Sequence, residues 1–395
     1  MNFTERLKKI VFLDFHRSET VFEAVLKTSF LNLLARSFGY LKNVAIAVLL
    51  GFSAKTDGVF MALSLIGIFL IFVDVFDSIG VPNLVNARLE SEKKFKELSG
   101  FLLTLTTFLA LTILIISLLL FPLIIKVPFG FSEKAINYTK IAYFLFIPYL
   151  FLNFFFHHFG AILRSLRLFS SYFLGEFLFS FFSFIFIGTG LYLFRDYKVI
   201  PVGYFFSQLI ATFYLLYLAR KHIFFNFYKD ETTTQILKHF FYLSFLYAVF
   251  HINILIDRAF ASFLPEKSVS ALTYGFLIVS IPRGILKFEN IAITPLSETK
   301  GSLKKFNFYA KKLIFLNLPF VFIMMFLSEI FVRLLFGYGA FSKVDIELTA
   351  QAVRFYSLSL PFMFLWPLLY RLYQVKNILK PVLFIAIIGL SLIHI

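Results

Sequence analysis

Five residues able to interact with an anion, Ser280, Arg283, Lys287, Asn290 and Thr294, recur at spacings of three and four inside an apolar, membrane-length stretch running from Ser270 to Ser297. On a helix this spacing sets them on one stripe, while the other faces carry mostly Ile, Leu, Phe and Ala. Charge is expensive there. An ionised side chain near the centre of a spanning helix costs about 2.5–3.5 kcal/mol, so it is normally turned toward a bundle interior or a wet cavity. We read Arg283 and Lys287 as lining a cationic, water-accessible cavity that takes an anionic substrate. The plainer alternative is that one of them sits near a helix end, snorkels to the interface and serves only topology.

Other spacings suggest further chemistry. Asp74 and Asp77 are three apart, and two carboxylates on one helix face can share a proton or bind a cation, so ion coupling is one expectation and pairing with nearby bases the other. Asp57 follows Thr56 at a helix start, where it either pairs with a base or caps the helix. Asp257 and Arg258 are adjacent and point differently, which favours interhelical ion pairing, whereas Glu329 and Arg333, four apart, form an intrahelical pair. His157 and His158 diverge by about 100° on a helix and lack further ligands, so no metal site is expected. The chain contains no Walker loop, nucleophile elbow or dinucleotide glycine pattern. No cofactor and no enzymatic activity are expected, and energy must come from ions, membrane potential or lipid gradients.

The elements that hold these residues are apolar helices. With 59% hydrophobic and 15% charged residues and a mean hydropathy of +0.85, the composition is that of an all-α polytopic membrane protein rather than a soluble domain. About eleven spans are expected, roughly 28–50, 58–81, 100–125, 136–160, 172–194, 200–219, 236–262, 269–296, 308–336, 348–371 and 379–395. Residues 1–27 suit an amphipathic segment on the membrane surface and not a cleaved signal, because charges interrupt the apolar run. Only about 15 residues follow Lys380, less than a full crossing, so either the chain is truncated or its last helix is short.

The net charge of +16 has a topological explanation. Alternate loops carry about 22 basic residues against roughly seven in the opposite ones, which places the N-terminus in the cytoplasm and gives no reason to expect nucleic acid. The loops are too short for an extramembrane catalytic domain. With no Cys there is neither a disulfide nor a thiolate metal site.

Several stretches carry a family resemblance. Asn253 to Glu298, NILIDRAFASFLPEKSVSALTYGFLIVSIPRGILKFENIAITPLSE, resembles the seventh and eighth helices of the MurJ (MviN) family, the lipid II flippases of the multidrug/oligosaccharidyl-lipid/polysaccharide exporter superfamily. Ser328 to Pro361 is similar to that family's junction of helices nine and ten, with its Leu-Phe-Gly-x-Gly-x-Phe turn. Gly160-Ala161-Ile162-Leu163 with Arg167 and Phe169 resembles the loop after helix four, and Ala35 to Tyr40 with Thr56-Asp57 resembles helices one and two.

The resemblance implies a two-lobed bundle around a central cavity in the bacterial cytoplasmic membrane. Expected boundaries are an N-terminal segment 1–27, a six-helix lobe 28–219, a partial second lobe 220–378 and an incomplete last helix 379–395. It implies flipping of a polyprenyl-diphosphate-linked saccharide by alternating access, with membrane lipids as further partners; a coupling ion is the expectation drawn from Asp74 and Asp77. Arg36 and Lys42 stand where the family has helix-one arginines facing the diphosphate, although Lys42 gives up the planar two-pronged donor, and Asp57 matches a Thr-Asp opening of helix two. There are departures too. Leu70, Ile71 and Phe72 replace family arginines, and Gly275-Phe276-Leu277 replaces Ala-Asp-Arg, leaving Arg283 and Lys287 to restore charge at another depth. These losses open two alternatives: export of another anionic lipid or oligosaccharide, or a non-transporting scaffold for envelope synthesis.

Overall fold

The computed structural model describes residues 21–227, 230–282, 302–375 and 384. Arg283 and Lys287, the amphipathic N-terminal segment up to residue 20, and nearly all of 379–395 lie outside the described residues. Among the described residues every regular element is helical. This follows from the sequence. Long Phe, Leu and Ile runs must satisfy each backbone group internally once they are in hydrocarbon, and the helix does so within one segment.

The helices are α1 (Val21–Leu50), α2 (Ala54–Phe69), α3 (Ile71–Glu90), α4 (Glu92–Leu119), the one-turn α5 (Phe121–Ile124), α6 (Glu133–Ser165), α7 (Phe169–Phe194), α8 (Val199–Ala219), α9 (Glu231–Ala261), α10 (Ser268–Val279), α11 (Leu303–Phe326), α12 (Ser328–Phe336), α13 (Lys343–Ser357) and α14 (Leu360–Val375). Among the described residues, seven helical stretches are long and apolar enough to cross a membrane. One of them, Ala54–Glu90, covers the second expected span but is broken at Leu70 into α2 and α3. The ninth expected span is likewise divided, at Leu327, between α11 and α12.

Polar residues set the helix starts. Ser91 accepts from the Lys94 amide, Asp230 and Thr233 form a reciprocal capping box, and so do Ser342 and Asp345. The helices pack as two groups. In the first, α1 lies along α7, α2 and α3 along α6, and α8 against α6 and α7; in the second, α10, α11 and α12 all pack on α13, and α11 on α14. Between them runs α9, which follows α3 and α2 more extensively than it follows α10. Large buried side chains, among them Tyr143, Phe146, Tyr274, Phe336 and Phe364, fill the bundle interior.

Candidate functional site

At one end of the bundle the turns after α1, α9 and α12 interlock. Gly51 (φ +67°) and Gly339 (φ +61°) both take the left-handed backbone conformation that other residues rarely adopt. A Cβ on Gly339 would come within 2.3 Å of the Val48 carbonyl oxygen, and one on Gly51 within 2.6 Å of the Ala340 carbonyl oxygen. Glycine thus lets two turns touch backbone to backbone, and the Ala340 amide donates to Val48 O at 2.7 Å. Nearby the Ala54 amide donates to Glu266 Oε1 at 2.7 Å. Beneath these turns the Tyr274 ring packs edge-on or tilted against Phe52, Phe60 and Phe336, and its hydroxyl donates to Asn43 O at 2.7 Å.

Asp57 is the centre of this seal. It is 3% exposed, and its oxygens accept from the amides of Lys267 (2.6 Å) and Ser270 (2.8 Å) and from the Ser270 hydroxyl (2.5 Å). Those amides open α10. The carboxylate therefore caps a helix, but a helix of the second group rather than its own, and the N-terminal dipole of α10 favours its charge. Lys267 holds a left-handed backbone (φ 86°), a conformation costing a non-glycine residue about 1–2 kcal/mol. Its amide is fixed by Asp57 and its ammonium reaches Asp345 Oδ1 at 2.9 Å, so both ends of the residue are used. Asp345 is buried and also accepts the Ser342 amide at 2.8 Å.

The other expected residues are dispersed. Arg36 is exposed and donates to Asn32 one turn back at 3.2 Å. Lys42 is 7% exposed and points into the first group, where its ammonium donates to the Tyr204 hydroxyl at 2.6 Å and lies 4.2 Å from that ring's centre. Asp74 faces α9, with His251 Nε2 at 2.8 Å. Asp77 belongs to α3, but its side chain lies outside the described part of the structure. Arg283 and Lys287 lie outside the described residues, which stop at Pro282 after α10.

Arg258 corrects one expectation. Among the described residues it makes interhelical hydrogen bonds rather than an ion pair, to Val269 O at 2.8 Å and to the Thr273 hydroxyl, because the α9–α10 turn brings those oxygens over it. Asp257 instead borders a cavity of about 630 Å³ with Ser268, Gln351 and Tyr356. Glu329 and Arg333 do pair along α12, at 2.7 Å. Glu176 accepts from the Tyr172 hydroxyl, and Arg354 donates to Ser328.

Lys267, Asp345, Glu266 and His251 were missed in the sequence. The capping box Ser342-x-x-Asp345 and the Pro265-Glu266-Lys267 turn were visible signals, but nothing local shows that this turn meets α2, through Asp57 and the Ala54 amide, from across the bundle.

The comparisons with known proteins bear on the family and the fold. A family model described as MurJ, lipid II flippase, matches residues 46–393. A probable lipid II flippase MurJ of Thermotoga maritima is 34% identical over 144 residues, covering 36% of this chain and 30% of that protein. Another, from Buchnera aphidicola, is 27% identical over 393 residues, covering 91% of this chain and 74% of that protein. Among solved structures, a lipid II flippase MurJ in an inward closed conformation superposes with a TM-score of 0.76 at 22% identity, covering 91% of this chain and 78% of that one. An inward-facing multidrug resistance MATE family transporter of the MOP superfamily gives 0.68 at 14% identity, over 90% of this chain and 87% of that one. At such identities the structures establish the shared two-lobed helical fold. Because the family match spans most of the sequence, the chain belongs to the MurJ family of lipid II flippases.

Proposed function

We propose that the chain moves a polyprenyl-diphosphate-linked saccharide across the bacterial cytoplasmic membrane by alternating access. The observation that carries this reading is the seal: the Asp57, Glu266 and Val48–Ala340 contacts each join one helix group to the other, and all lie at one end. Polar contacts of this kind re-form after opening, as a gate requires. In this reading the lobes are 28–219 and 220–378, the N-terminus is cytoplasmic, and the Gly51 end faces outward.

The family resemblance and the charge pattern give the remaining roles. Arg36, Lys42, Arg283 and Lys287 meet the diphosphate, replacing its hydration with fixed positive charge. Lys42 engages when it leaves Tyr204. Asp57 exchanges its amide partners for groups of the open path when the seal parts. Asp74 and Asp77 carry ion coupling. The polyprenyl tail stays in the bilayer. A second reading, transport of a different anionic lipid or oligosaccharide, is favoured by Leu70, Ile71, Phe72 and Leu277 at family arginine positions.

Expression in a bacterium depleted of its own flippase tests the proposal. Growth is restored by the wild-type chain and lost with Arg283→Ala and Lys287→Ala together. Rescue that survives the double change removes these residues from the substrate path. No rescue by well-inserted wild-type protein favours the second reading or a scaffold.

A further inference from the structure

Three described residues other than glycine have a left-handed backbone, and all three are cations: Arg167, Arg195 and Lys267. Lys267 uses its charge in the seal. Arg195 ends α7 at φ 48°, with its amide on Leu191 O, a helix-closing position that favours glycine or asparagine. Nothing in the cap requires a guanidinium. Its side chain borders a cavity of about 470 Å³ with Lys55, Lys198, Asp196, Tyr138 and Tyr197. Lys198 has Asp196 at 4.0 Å, whereas Lys55 and Arg195 are exposed without an acidic partner among the described residues. The cavity therefore carries three cations against one carboxylate. Burial first, then Asp196 beside it, holds the Tyr197 phenol above its ordinary range, so it remains a neutral hydroxyl.

A second cavity adjoins the first and shares Phe194, Asp196 and Lys198 with it. It has about 460 Å³ and runs between α7 and α8, walled by Phe186, Val202 and Phe206. A cationic pocket at the helix ends thus continues into an apolar groove along the membrane-spanning surface. The last turn of α7 adds Tyr192, Leu193 and Phe194, each about 70% exposed, at the level where amphipathic and apolar side chains meet headgroups.

We propose that these two cavities form one binding site for an anionic phospholipid, its phosphate held by Lys55, Arg195 and Lys198 and an acyl chain laid between α7 and α8. From Phe186 to Phe194 the groove follows about 12 Å of helix, part of one ordinary acyl chain. A two-chain phospholipid is favoured over the transported lipid because the site lies on the flank of the first helix group. Lys55 and Asp57 are two positions apart on α2 and so point about 160° apart, one exposed and the other buried in the seal.

The test uses the whole chain, delipidated in detergent, with retained lipid counted by native mass spectrometry. Phosphatidylglycerol and phosphatidylcholine of identical acyl chains are compared, with undecaprenyl diphosphate and inorganic phosphate as competitors. Phosphatidylglycerol should be retained in preference, and Lys55→Gln with Arg195→Gln should weaken it about twenty-five-fold, two surface cations at about fivefold each. Both positions are exposed, and an unchanged Tm separates this loss from misfolding. Equal retention of both phospholipids, or undiminished binding in the double variant, overturns the proposal. Complete displacement by inorganic phosphate reduces the site to its headgroup pocket and overturns the groove, and displacement by undecaprenyl diphosphate at lower concentration overturns the choice of occupant. Flippase activity enters none of these readouts, so the site stands or falls apart from the transport reading.

Discussion

The two helix groups meet in two quite different ways. At the Gly51 end the contact is multiple and built largely from backbone: the amides of Ala54, Lys267, Ser270 and Ala340 all donate across it, to Glu266, Asp57 and Val48. Elsewhere in the bundle, the contact of α3 with α9 includes, among the described residues, a side-chain pair, Asp74 with His251 at 2.8 Å. Backbone donors have fixed directions, so the first contact forms only when several turns are in register together. A side-chain pair tolerates displacement. One end therefore behaves as a cooperative latch and the other as a yielding joint, which is the asymmetry alternating access needs.

The comparison can be broken most severely at the glycines. Gly339→Val forces a β-branched residue into a left-handed turn, at about 1–3 kcal/mol, and drives its Cβ into Val48. We expect the sealed state to be lost, with a cysteine introduced at Phe52 changing from protected to reactive in this Cys-free chain. Asp57→Ala comes next. It leaves the Lys267 and Ser270 amides without their acceptor and should weaken the seal by about 2 kcal/mol, since hydrogen bonds within membrane proteins average nearer 0.6 kcal/mol each than the values for buried charged bonds in water-soluble proteins. The same cysteine measures it.

Smaller changes sharpen the contrast. His251→Phe should loosen α9 from α3 by about 1 kcal/mol and leave Phe52 protection unchanged, as spin-label distances between the two groups would show. Tyr204→Phe removes the hydroxyl acceptor of Lys42 but keeps the ring beneath its ammonium, so a loss of only about 0.5 kcal/mol in thermal stability is expected, with the seal intact.

Composition and periodicity made the fold legible: long apolar helices with alternating basic loops, and short family motifs distributed in order along the chain. The break at Leu70 was not legible, because it lies within the apolar run 68–73 with no proline beside it, and the break at Leu327 was passed over although Ser328-Glu329 follow it directly. The site was legible only as charge. Asp57 stood out as an acid at a helix start, yet its partners lie more than two hundred positions away, and no local spacing encodes that encounter. Lys42 stood out only through the family resemblance, and its packing on Tyr204 was unreadable, since Tyr204 is a common aromatic in an aromatic-rich chain. His251 gave no signal, because an isolated histidine in an apolar span has the same sequence pattern with or without a partner.

The central claim is that the seal must open for substrate to cross. It is tested most directly by introducing Ala54→Cys and Glu266→Cys on the two sides of the seal, where the backbone of one already meets the side chain of the other, and bridging them with a short reducible bis-thiol reagent. Translocation of lipid II is then followed in proteoliposomes. The account predicts that bridging stops translocation and that reduction restores it. Undiminished translocation by the bridged protein would contradict it.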